Sequence, residues 1–227
     1  GANDAIKTYK AIEDPIDDDK NYAAMAYAYR AHDYYLLTVL FEPVANKYTD
    51  CSKVLGLTVP IVTEETTEGE AANNPRATHD AMTEFILSDL NTAEQLFTET
   101  GYKGKDRTAP NLAVVYGLKA KVYMWDQNYE KALEYAEKAI AAAEAGGATM
   151  MTKQELTNPT TAFATATNGW MWYAHYSAEN MGNLCNFTGM MSGEADWGYS
   201  SLSCPGIDRS LYEKMGINDY RRKWFLD

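Results

Sequence analysis

The feature that most constrains this chain is a run of small and aromatic residues at fixed spacing over residues 111–144. Ala120, Tyr123, Tyr129, Ala132, Ala136 and Ala139 are spread over two helix-forming stretches separated by Asp126-Gln127-Asn128. Small side chains let two helices approach closely, and tyrosines fill the space beside them. Pro110 suits a helix start, because its missing amide hydrogen would have no partner there anyway. Gly146-Gly147 suits a helix stop. The spacing predicts two antiparallel helices, residues 111–125 and 129–145, joined by a tight turn.

This is the tetratricopeptide pattern, with Tyr116 in the usual tryptophan position. One copy of the motif is not a solenoid, so the hairpin needs other helices of the chain to pack against. Two candidates precede it. Residues 21–41 read as a long helix that Pro43 ends. Its expected apolar face is Tyr22, Met25, Ala26, Tyr29, Leu36, Leu37 and Leu40. Arg30 and Asp33 interrupt that stripe, either as buried paired charges or at its edge. A second helix begins at Thr78 or Asp80, and Met82, Phe85, Ile86, Leu90, Ala93, Leu96 and Phe97 repeat at i, i+3, i+4, i+7 until Gly101 and Gly104 break it. Between the two, Leu57, Val59, Ile61 and Val62 form a short extended run around Pro60. An exposed, mobile polar loop is expected over 63–74.

Past Gly147 the periodicity is lost. Residues 152–169 are rich in Thr, Asn and Ala; 170–176 are dense in aromatic rings and read as a buried β-like segment bridging to the helices; 180–204 are rich in Gly, Asn, Ser and Met. A last short helix is expected over 211–226. The expected fold class is mainly α: tetratricopeptide-type helix pairs packed against an irregular, loop-rich region with short strands. The helical part spans 1–149 and the irregular, aromatic-rich part 150–227, within one compact domain.

Charge and motifs remove several function classes. The net charge is −12, opposite in sign to what a nucleic-acid or anionic-lipid surface attracts. Nothing in the sequence approaches the 18 or so consecutive apolar residues of a membrane span. His32, His79 and His175 stand apart, with no H-E-x-x-H, no Ser or Cys nucleophile motif and no phosphate-cradling glycine loop. No cofactor and no metal site is expected. Asp17-Asp18-Asp19 lacks the alternation and central Gly of a calcium loop and reads as a solvated acidic turn. Cys51, Cys185 and Cys204 form no C-x-x-C; Cys185 and Cys204 can either pair or remain as small buried thiols. No signal peptide is present and Gly1 is not a natural start, so a processed form or a fragment is expected.

With these elements placed, the chain resembles the SusD-like (RagB/SusD) proteins. Arg30-Ala31-His32-Asp33-Tyr34-Tyr35-Leu36-Leu37 is similar to their R-A-x-x-Y-Y-x-L helix, and Gly56-Leu57-Thr58-Val59-Pro60-Ile61-Val62-Thr63 to their L-G-[IV]-P-L-V-T segment. Phe85-Ile86-Leu87-Ser88-Asp89-Leu90 resembles the end of their next helix, Asn128-Tyr129-Glu130-Lys131-Ala132 the start of the second central helix, and Leu211-Tyr212 with Asp219-Tyr220-Arg221-Arg222 a later L-Y…D-x-R-R element. The order of the segments is specific where no single one is. The family pattern Gly-x-V-P is replaced here by Phe41-Glu42-Pro43-Val44. Members are about twice this long, so both ends are expected to be missing or reduced.

The resemblance implies a non-catalytic lipoprotein at the outer-membrane surface of Bacteroidota. Such a protein binds oligosaccharides, or in some members peptides, for a SusC-like TonB-dependent transporter. Sugar capture asks for a flat apolar plate beside hydrogen-bonding groups. There are 17 Tyr and 5 Trp against 6 Phe, a bias toward rings with a polar edge. Trp197 and Tyr199, two residues apart and on one side of an extended segment, with Glu194 and Asp196 beside them, are the expected ligand residues. Asn186 is a candidate hydroxyl partner, although Asn180, Asn183 and Asn186 equally suit turns. Of the 170–176 segment, expected to be at least half core, Trp172 is carried as a ligand candidate. The alternative is a tetratricopeptide scaffold whose groove binds a peptide or protein.

Overall fold

A computed structural model describes residues 1–104, 107–158, 165–174 and 206–225. The chain divides into two compact units, Gly1–Ala148 and Thr149–Asp227. The first is mainly α. Its elements are α1 (Ala2–Lys10), α2 (Asp17–Phe41), the short α3 (Glu68–Ala72), α4 (His79–Thr100), α5 (Leu112–Trp125) and α6 (Tyr129–Ala145). Packing follows chain order, α1 on α2, α2 on α4, α4 on α5 and α5 on α6. Helices α2 and α4 are antiparallel. Glu42, just past the end of α2, meets His79 at the start of α4, while at the far end the Thr100 hydroxyl donates to Asn21 Oδ1 at 2.6 Å.

Helix α4 buries the face its sequence predicts. Met82, Ile86, Leu90, Ala93, Leu96 and Phe97 are buried. Phe85 is half-buried, its ring edge-on to Tyr34 at 5.1 Å. Thr78 is the N-cap, its hydroxyl accepting from the Ala81 amide, and Gly101 closes the helix at φ 65.

Helix α2 does not bury the face its apolar residues suggest. Tyr22 is 64% and Leu40 74% exposed, and Leu36 and Leu37 are also on the surface. Of the expected face Ala26 is buried and Met25 and Tyr29 are half-buried, and the rest of the buried face is Asn21, Ala23, Ala24, Tyr27, Ala28, Arg30, Ala31, Tyr34 and Thr38. The rotation is set by Arg30, which is only 6% exposed. Its Nε and one terminal nitrogen each donate to Asp89 of α4 at 2.7 Å, and the other terminal nitrogen reaches Glu64 at 2.5 Å. A buried guanidinium without partners would be far costlier than a few wetted leucines, so the charge decides which face turns inward. The alanines around it let α1 and α4 come close. Asp33, by contrast, is exposed. The acidic triplet Asp17-Asp18-Asp19 is the first turn of α2 and not a free turn. Asp19 accepts from the Ile16 amide at 3.1 Å, and the three carboxylates lie at the positive end of the helix dipole.

The connection from α2 to α4 is partly ordered by the same charge network. Glu64 lies in the stretch expected to be an exposed polar loop, yet its side chain is only 4% exposed and also pairs with Lys10 of α1. The stretch further contains α3, whose Thr67 and Glu70 cap one another. The extended run contributes a single antiparallel bridge, Leu57 to Thr78, flanked by backbone hydrogen bonds between Thr58 and Ala77 (2.8 Å) and between Ala77 and Val59 (3.1 Å). Among the described residues no longer strand forms; Pro60 has no amide hydrogen to extend the ladder. Arg76 ties this run to α2, donating to the Leu57 and Phe41 carbonyls at 2.9 and 2.7 Å.

Helices α5 and α6 form the tetratricopeptide-type hairpin. Asn111 and Asn128 are the N-caps, and Gln127 makes the turn with φ 60. Ala132 and Ala139 are buried, and Tyr123 stacks on Tyr135 at 5.5 Å. Tyr129, expected to fill the interface, is 63% exposed. Half-buried Tyr135, on the side of α6 that meets Tyr116 and Tyr123 of α5, takes that role. Lys119 of α5 is buried beneath it, with its ammonium 4.8 Å from the Tyr135 ring, 2.6 Å from Asn91 Oδ1 and paired with Glu94. Burial pushes this ammonium's pKa down, against the pull of Glu94.

The second unit contains α7 (Lys153–Thr157), α8 (Arg209–Glu213) and a 3₁₀ turn, Tyr220–Trp224. The single helix expected over 211–226 is split into the last two, with Gly216 between them. The 3₁₀ turn packs on α7, where Trp224 Nε1 donates to the Leu156 carbonyl at 3.0 Å.

Candidate functional site

Of the six residues expected to touch ligand, the structure describes Trp172. Asn186, Glu194, Asp196, Trp197 and Tyr199 lie outside the described residues, as do Tyr176, Asn180, Asn183, His175, Cys185 and Cys204. Trp172 belongs to the second unit and is half-buried. Its neighbours Trp170 and Tyr173 are also half-buried and meet edge to face, 5.6 Å between ring centres. The described part of this segment, 170–174, is not a strand. It follows a turn in which Trp170 donates its amide to the Thr167 carbonyl, and the Thr149 amide binds the Asn168 carbonyl. Asn168-Gly169 make that turn, and residues with a short polar side chain or none are suited to it. Half-wet rings offer an apolar face while their N–H or O–H groups stay near water.

The first unit carries two open polar clefts that the sequence did not single out. One, of about 720 Å³, is lined by Thr63, Thr66, Glu70, Asn73, Asn74 and neighbouring residues. The Asn74 amide donates to the Ile61 carbonyl across its floor. The Glu70 carboxyl is held below its ordinary pKa by the Thr67 backbone amide and then by the Thr67 hydroxyl. The other, of about 520 Å³, is lined by Asp80, Thr83, Glu84, Leu87, Ser88, Asn91 and Asp126. Both offer hydroxyl, amide and carboxylate groups, and neither has an aromatic ring among its lining residues, so a sugar could be hydrogen-bonded there but not stacked. The one sequence signal for the first cleft is its Asn73-Asn74 pair within a polar, aperiodic stretch.

His79 is a structural joint. Its Nδ1 lies 2.9 Å from Glu42 Oε1, its Nε2 lies 3.5 Å from Asp126, and its ring lies 4.0 Å from that of Trp125. Trp125 Nε1 donates to the second oxygen of Glu42 at 2.9 Å. Among the described residues no group of three or more His, Cys, Asp or Glu side chains is placed to hold a metal ion, and no helix is long and apolar enough to cross a membrane.

The first unit is a layered helical fold closed by a tetratricopeptide-type hairpin. The chain belongs to the SusD-like family: the family model described as starch-binding and associating with the outer membrane matches residues 3–124, more than half of the chain. No curated protein matches. Among solved structures, a SusD-like carbohydrate binding protein from Bacteroides vulgatus is 22% identical over 75% of this chain, with a TM-score of 0.56. A SusD superfamily protein from Bacteroides thetaiotaomicron is 22% identical over 69%, with a TM-score of 0.55. At this identity the likeness speaks to the fold. The matched regions are 33% and 32% of those proteins, so the chain spans about a third of their length.

Proposed function

We propose that this chain is the scaffold-bearing part of a protein that captures oligosaccharides at the outer-membrane surface, without bond chemistry of its own, and delivers them to a SusC-like TonB-dependent transporter. The observation that carries the reading is the family match over residues 3–124, whose description joins starch binding to the outer membrane. The ligand is held on the aromatic second unit, with Trp197, Tyr199 and Trp172 as plates and Glu194, Asp196 and Asn186 as hydroxyl partners. Attachment to the membrane is through a lipid anchor. Calorimetric titration with a panel of oligosaccharides, starch fragments first, tests this. At least one glycan should bind and be recovered unaltered, and Trp197→Ala or Trp172→Ala should weaken it about tenfold, near 1.4 kcal/mol. Failure of every glycan to bind the full-length protein, together with failure of a transporter to co-purify, sinks the proposal.

A further inference from the structure

At the start of α4 one imidazole stands between two carboxylates. His79 Nδ1 lies 2.9 Å from Glu42 Oε1, just past the end of α2, and its Nε2 lies 3.5 Å from Asp126 Oδ1, just past the end of α5. All three side chains are partly buried, with 28% of His79, 15% of Glu42 and 30% of Asp126 exposed. The Trp125 ring, 4.0 Å from the imidazole, packs beside it, and Trp125 Nε1 donates to the second oxygen of Glu42. The ring and its nearer carboxylate are therefore both held from α5.

The proton count of this arrangement is informative. An ionised carboxylate accepts hydrogen bonds and donates none. A neutral imidazole carries one N–H, so it serves one of the two carboxylates and turns a lone pair toward the other. An imidazolium carries two and serves both. The shorter contact, to Glu42, is the one a neutral ring keeps. Asp126 is the partner that only the charged ring engages.

The other charges around the ring do not supply a competing cation. Asp80, the next residue of α4, is exposed and adds negative charge. Arg76 has its guanidinium committed to the Phe41, Leu57 and Thr58 carbonyls. The first turn of α4 opposes a charged ring with the positive end of its dipole, about half a charge, against the whole charges of Glu42 and Asp126.

We infer that this joint is operated by a proton: uptake at His79 fastens Asp126 to the start of α4, and release unfastens it. Asp126 opens the turn between α5 and α6, where the Gln127 and Asn128 amides donate to the Met124 and Tyr123 carbonyls at 3.2 and 2.8 Å. With the proton bound, that turn is tied to α4 as well as to α5. Without it, the Trp125–Glu42–His79 contacts remain and the turn is held by α5 alone. Imidazoles exchange their proton between about pH 5 and 8, so mild acid closes the joint and mild base opens it. This inference is independent of where a glycan binds.

The test follows the ring and the turn together in the full chain. Nitrogen NMR of the His79 ring should show the Nδ1–H form at pH 8 and both nitrogens protonated at pH 5.5, a window above the ordinary carboxylate range. Over the same change, the amide protection factors of Gln127 and Asn128, corrected for intrinsic exchange, should rise about tenfold. His79→Gln keeps one donor for Glu42 and cannot take up a proton. Asp126→Asn keeps the histidine and removes the charge that its proton answers. Both variants should retain their circular dichroism and lose the rise. A rise that persists in His79→Gln assigns the effect to another group and overturns the inference. Flat protection in the natural chain, an Nε2–H form at pH 8, or a ring still singly protonated at pH 5.5 overturns it as well.

Discussion

Arg30 shows how one residue can set the rotation of a 25-residue helix. It is the centre of a buried array in which Asp89 takes two of its hydrogen bonds, Glu64 takes another and Lys10 closes on Glu64 from α1. Removing the cation alone leaves Asp89 and Glu64 buried against nothing positive but Lys10. Arg30→Met is expected to lower unfolding free energy by about 3–5 kcal/mol in urea titration, and Arg30→Met with Asp89→Leu to recover much of that loss. A double variant no better than the single one would show that the array is not the reason. Burial pushes the Glu64 carboxyl up, but the hydrogen bonds from Lys10 and then Arg30 prevail and bring its pKa down to about 2. A carboxyl whose folded pKa is depressed stabilises the fold above its unfolded value, near 4.5, and loses that contribution as pH falls toward 2. The gap in stability between the natural chain and Glu64→Gln should therefore be full at pH 6 and close between about pH 4.5 and 2. Asp89 acts in the opposite sense, since burial holds its pKa above the ordinary value. A gap that persists at pH 2 would contradict the assignment.

At the scale of elements, legibility follows the range of the forces involved. Helix α4 could be read from its sequence because its apolar residues recur at 3.6 and its ends carry local signals, Thr78 and Gly101. The hairpin of α5 and α6 was legible from its small and aromatic spacing, although its caps Asn111 and Asn128 and the exposure of Tyr129 were not. Helix α2 was not. Its inward face is chosen by a partner 59 residues away, and no periodicity encodes that. Glu64 was hidden for the same cause, a single buried acid within an aperiodic polar stretch. The ligand residues were legible only as composition, aromatic rings among Gly and Asn, which says what such a loop can touch but not where it stands. The local signals can be tested one at a time. Thr78→Ala removes the hydroxyl that accepts the Ala81 amide and should cost about 1 kcal/mol, with no change in the denaturant slope. In thermal unfolding that is a fall of about 2–4 °C.

On the scale of the whole molecule, the largest fully buried side chains among the described residues, Phe97, Ile6, Met82, Ile86, Leu90, Val115 and Val122 included, all come from Gly1–Ala148. A chain cut after Ala148 is expected to keep its helical circular dichroism and unfold cooperatively, yet to bind no oligosaccharide that the complete protein binds. Retained binding would move the ligand to the polar clefts of the helical unit. The joint at Glu42 bears on how that unit moves. One carboxylate holds the first side chain of α4 with one oxygen and the last side chain of α5 with the other, just past the end of α2. Three rods pinned at a common vertex can splay only at their opposite ends. Hydrogen exchange should accordingly be slower in the last turn of α5 than at the Gly101 end of α4, and Glu42→Ala should erase the difference.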